Sequence, residues 1–80
     1  MTYSEAYQKA KTPQELIDAV RHDVSVWALY GRNPDRLKAI TTAMNKAAKE
    51  KNWNLARITK CVEMRTGEAL EVIEDAGTDD

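Results

Sequence analysis

A nucleophile and a general base are each available once in this chain, as Cys61 and His22. Covalent or acid–base catalysis needs such groups to converge in a pocket, with a third group to orient the base. These two fall on different predicted helices, and Asp18 lies one turn before His22 on the same helical face, which predicts a surface ion pair. Zinc-ligand spacing, a phosphate-binding glycine loop and a calcium loop are missing from the sequence. The residues therefore predict a non-enzymatic protein with no metal and no cofactor.

What the sequence does supply is segregated charge. The net charge of -1 conceals -1 over residues 1–31, +6 over residues 32–65 and -6 over residues 66–80. A basic middle followed by an acidic end predicts a contact surface with a charged tail. In one expectation Glu68, Glu71, Glu74, Asp75, Asp79 and Asp80 fold back over the basic face; in the plainer one they form a solvated helix end.

Asp23 is the acid in the most demanding place. Leu16, Ala19, Val20, Trp27 and Tyr30 surround its direction on a helical wheel, so its carboxylate points into an apolar face. Burying that charge is costly without a partner. Arg65 and Arg36 flank the apolar stripes of neighbouring helices and are the predicted partners, making Asp23 a buried polar anchor. Trp27, Tyr30 and Trp53 hold much of the aromatic area and serve either as core or as an interface patch.

The elements that must position these groups follow from punctuation. Thr2 with Glu5, and Thr12 with Glu15, fit capping boxes, and Pro13 suits the first position of a second helix. Gly31 closes that helix near Tyr30, and Asn33-Pro34 opens a third with Leu37, Ile40, Met44, Ala47 and Ala48 on one stripe. After a break at residues 52–54, Leu55, Ile58, Val62, Ala69 and Ile73 share one face. This predicts a single long helix from Asn54 to about Asp75, with Gly67 on its wet side.

The fold so predicted is all-α: a small bundle of three main helices plus a short N-terminal helix, one domain over residues 1–76 with a frayed acidic end at 77–80. At this length a chain buries only about 60% of its unfolded surface, so the core is thin. One cysteine fits a reducing cytoplasm, and the sequence predicts neither an export signal nor a membrane span.

A second pattern overlaps the last helix. Ala48 is small, Asn52 stands four residues on, Trp53 is the apolar residue after it, and Ile58 and Cys61 follow at buried spacing. In these positions Met44 to Val62 resembles a degenerate helix-turn-helix DNA-binding unit, whose second helix enters the major groove. The resemblance covers about a quarter of the chain. It implies that Asn54, Arg57 and Lys60 face bases or phosphates. Lys51 departs from it, replacing an apolar residue before the turn, and Leu55 would face the duplex.

The bundle seam, Leu55 with Ile58 and Val62, extends through Ala69 and Ile73, and this continuity favours it over the Ile58–Cys61 seam of the resemblance. The leading expectation is accordingly an interaction module that presents a helix face to another protein or to its own copy, as in a homodimer. The alternative is a DNA-binding accessory protein using Lys46, Lys49, Asn54, Arg57 and Lys60.

Overall fold

The computed structural model describes residues 2–70. Four helices carry the fold: α1 (Tyr3–Gln8), α2 (Pro13–Leu29), α3 (Pro34–Glu50) and α4 (Leu55–Thr66), with no strand among the described residues. This is the all-α bundle of three main helices and a short N-terminal one that the punctuation predicts.

The caps explain why the helices start where they do. The Thr2 hydroxyl accepts from the Glu5 amide at 3.2 Å while Glu5 accepts from the Thr2 amide at 3.0 Å, completing the box at α1. At α2 only half of the predicted box forms. Thr12 accepts from the Glu15 amide, but the Glu15 carboxylate reaches past the cap to the Lys11 amide at 2.9 Å. Asn33 caps α3 through the amides of Asp35 and Arg36, with Pro34 in the first turn, where its missing N–H costs nothing.

Glycine closes α2 as expected: Gly31 has φ 108 and Arg32 follows at φ 55, allowing the Arg32 amide to return to the Trp27 carbonyl at 3.1 Å. The Trp27 indole N–H then donates to the Asn33 carbonyl at 2.7 Å and fixes the short path into α3.

One contiguous core joins all four helices. Tyr7, Leu16, Val20, Val24, Ile40, Met44, Ala47, Ala48 and Val62 are fully enclosed, with Trp27 and Ile58 nearly so. Each large apolar side chain of this kind contributes about 1.5–3 kcal/mol by leaving water. Alanines at positions 43, 47 and 48 are short enough to let neighbouring helices approach α3 closely.

α2 and α4 run in the same direction. Pro13, Gln14 and Ile17 at the start of α2 face Asn54, Arg57 and Ile58 at the start of α4, while Arg32 beyond α2 meets Glu68 beyond α4. α4 packs mainly on α2 and touches α3 sparingly, whereas α1 lies across α3.

The last helix departs from expectation. α4 ends at Thr66, and Gly67 takes the left-handed conformation (φ 75) as its cap, donating to the Glu63 carbonyl at 2.8 Å. Glycine loses the most backbone freedom in a helix and is the residue best able to leave one. The chain then doubles back. Ala69 is exposed outside the helix and is no part of a seam, while Leu70, with no assigned part in the sequence reading, is buried. Ile73 and the acidic residues at 71, 74, 75, 79 and 80 lie outside the described residues, as do the expected helix end and the expected frayed terminus.

Candidate nucleic-acid interface

Backbone geometry between α3 and α4 is set by an asparagine. Asn52 has φ 59, one of two positive values at non-glycine residues in the described chain. Asparagine tolerates this region because its short polar side chain bonds locally. Its amide donates to the Lys49 carbonyl, and the Trp53 amide reaches the Ala48 carbonyl at 2.9 Å, so the turn is closed by backbone bonds. Ala48 has no exposed surface at all, and Ile58 is 2% exposed beneath the next helix. Trp53 is half-buried with the Lys51 ammonium 5.6 Å from its ring centroid. The residue expected to be apolar at 51 thus lays its charge on the neighbouring indole.

α4 presents a mixed inner side and a cationic outer one. Ile58, Thr59 and Val62 are buried, Leu55 and Cys61 are both half-buried, and Ala56, Arg57, Lys60, Met64 and Arg65 are exposed. Leu55 and Cys61 therefore flank one common seam, so the two alternative seams of the sequence reading merge. Asn54 caps the helix by accepting from the Arg57 amide at 3.1 Å, which occupies its carbonyl oxygen and leaves its amide N–H groups as donors. Neither Arg57 nor Lys60 forms an ion pair among the described residues.

The five cations and amides expected to act together are divided. Asn54 and Arg57 border a cleft of about 410 Å³ between the N-terminal ends of α2 and α4, which Cys61 also lines. Lys60 follows Arg57 on the next turn of α4. Lys46 instead lines a groove between α1 and α3 with Tyr3, Lys38 and Thr42. Lys49 is exposed near the end of α3.

The predicted anchor has a different partner. Asp23 is half-buried and accepts the Tyr7 hydroxyl at 2.7 Å; Arg36 and Arg65 are exposed and do not reach it. Tyr7 is fully enclosed, so burial first, then its hydrogen bond to Asp23 and that carboxylate's charge, raise the phenol far above its ordinary value. A neutral hydroxyl from α1 therefore does what the sequence reading assigned to a cation. The short first helix supplies it because Tyr7 packs into the core with Tyr3 stacked at 6.2 Å.

The aromatic set does not form a patch. Trp27 is buried, Trp53 half-buried, and Tyr30 is 78% exposed, outside the apolar face to which the wheel assigned it. α2 has ended by then, and the turn at Gly31 swings position 30 outward. His22 is exposed and makes no ion pair with Asp18, which instead binds Gln14 at 3.1 Å and lies 4.0 Å from Arg21. No cluster of three or more His, Cys, Asp or Glu side chains suited to a metal occurs among the described residues.

The Arg32 site had no signal in the sequence. Its guanidinium forms two hydrogen bonds with Glu68, at 2.8 and 2.7 Å, while stacking 5.4 Å from the Trp27 ring centroid. No helix of the described residues is long and apolar enough to cross a membrane. No protein family, curated protein or solved structure matches the chain.

Proposed function

We propose that α3, the turn at Asn52 and α4 form a duplex-DNA-binding unit, with Asn54, Arg57 and Lys60 meeting the phosphates and groove edges. The observation that carries this reading is the left-handed Asn52, closing the turn above a fully enclosed Ala48. A sharp turn over a small residue lets one helix brace while the next projects into the groove.

Two features of the chain bring this reading ahead of the interaction module. The predicted bundle seam needs a helix that runs on through Ala69 and Ile73, but α4 stops at Thr66. The surplus apolar circumference of α2 also shrinks, since Leu16, Ile17, Val20, Val24 and Trp27 are all enclosed. What remains is Leu29 beside Tyr30, each 78% exposed, and that adjacent pair supports a second reading: contact with another protein or a second copy.

A titration of fluorescent duplex at increasing salt tests the first reading. Each neutralised phosphate adds about 0.9 to the slope of log affinity against log salt, so Arg57→Gln with Lys60→Gln lowers the slope by about 2. Absence of binding at low salt, or an unaltered slope in the double variant, sinks the proposal. Concentration-dependent sedimentation that Leu29→Ser abolishes would support the second reading.

A further inference from the structure

We propose that Met64 is a sequence-reading residue of α4, packing against the 5-methyl groups of thymine in the major groove. The inference rests on the duplex-binding reading and adds to it a preference among sequences. Phosphate contacts from lysine and arginine fix a protein on the duplex, whereas discrimination comes from contacts to base edges.

Position and exposure carry it. Met64 is 76% exposed, one of three large apolar side chains so placed among the described residues. A single exposed apolar residue is ordinary on a soluble surface. This one follows Lys60 by four residues and Arg57 by seven, so the three lie on one side of α4, with Met64 two turns beyond Arg57. All three are exposed, and the row stands clear of the buried side formed by Ile58, Thr59 and Val62. Leu29 and Tyr30, the other two exposed apolar residues, belong to the end of α2 instead.

The charge around Met64 has one sign. Glu63 is the one acidic residue of α4, and its half-buried carboxylate accepts from the Leu70 amide at 2.6 Å. Glu68, just beyond the helix, holds Arg32 through two hydrogen bonds. A phosphate backbone drawn to Arg57 and Lys60 therefore meets no unengaged carboxylate on α4.

The chemistry of the side chain selects its contact. Methionine has no charge and no donor, and its sulfur is a weak acceptor, so phosphates offer it nothing. The apolar group that bases present in the major groove is the 5-methyl of thymine. An unbranched, polarizable thioether adapts readily to such a surface. A helix lying in the groove turns one side to its floor, so Met64 reaches a base from the same row in which Arg57 and Lys60 hold the duplex.

The test compares the affinity of the full chain, at low salt, for an alternating dA–dT duplex and for the same duplex with deoxyuridine replacing thymidine. The two differ by the 5-methyl alone, and every base pair carries one, so the result is independent of register. The natural chain prefers the thymidine duplex by about fourfold, the value of one methyl-sized group leaving water. Met64→Ala, at an exposed helical position, binds both duplexes equally and keeps the salt slope of the natural chain, because no phosphate contact is lost.

Equal affinity of the natural chain for the two duplexes overturns the role of Met64 and leaves the duplex reading intact. A thymidine preference that persists in Met64→Ala, or a salt slope lowered by that substitution, overturns it as well. Absence of binding to either duplex removes the duplex reading and this inference with it.

Discussion

The Tyr7 hydroxyl donates to the Asp23 carboxylate across 2.7 Å, tying α1 to the middle of α2. The phenol is fully enclosed and the carboxylate half-buried, so the buried hydroxyl depends on this carboxylate as its acceptor. Tyr7→Phe removes the donor but keeps the ring in the core. The expected cost is about 1.5–3 kcal/mol, the range for a hydrogen bond to a charged group. Asp23→Asn retains an acceptor oxygen and costs less, about 1 kcal/mol. Urea unfolding measures both; two variants as stable as the natural chain would leave this pair without a structural role.

The same pair makes stability depend on alkaline pH. Burial and Asp23 raise the Tyr7 phenol above its ordinary value of 10.0, so the folded chain holds this proton more tightly than the unfolded chain. The stabilisation is complete below pH about 10 and is lost as pH climbs beyond that ordinary value toward the folded one. Unfolding midpoints between pH 8 and 11 should fall more steeply in the natural chain than in Tyr7→Phe. Parallel pH profiles would refute the coupling.

At the end of α4 the backbone and a side chain can be tested separately. Gly67 has φ 75 and an added Cβ would meet nothing within 4 Å, so Gly67→Ala carries a conformational cost of about 1–2 kcal/mol without a clash. Leu70→Ala removes a buried side chain that the reversal delivers, costing about 2 kcal/mol. Ala69→Ser, at an exposed position, should be nearly silent. A continuous helix would give the opposite ranking at 69 and 70, so thermal melts of the three variants discriminate.

How much of this was legible depended on whether a signal was local. Helix starts were readable because threonine, asparagine and proline act within their own first turn, as at Thr2, Asn33 and Pro34. Tyr7–Asp23 and Arg32–Glu68 join residues 16 and 36 positions apart, and neither spacing nor composition specifies such pairs. The wheel also misled at two ends. It carried the face of α2 on to Tyr30 and that of α4 on to Ala69, although glycine cancels helical phase at the next or an earlier residue. At the proposed interface, the exposure of Arg57 and Lys60 followed from periodicity, but the separation of Lys46 from them followed from where α1 packs.

Asn52 links backbone conformation to the proposed interface and allows stability and binding to be read together. Its φ of 59 strains a residue with a Cβ, and glycine adopts that region freely. Asn52→Gly therefore keeps the turn, changes stability by about 1 kcal/mol or less, and preserves duplex affinity. Asn52→Val places a β-branched residue where it is least tolerated and costs about 2 kcal/mol. If the folded fraction of that variant binds duplex more weakly while Asn52→Gly does not, turn geometry rather than the amide side chain positions Arg57 and Lys60. Equal affinity for folded Asn52→Val would disconnect the turn from binding and remove the observation on which the duplex reading stands.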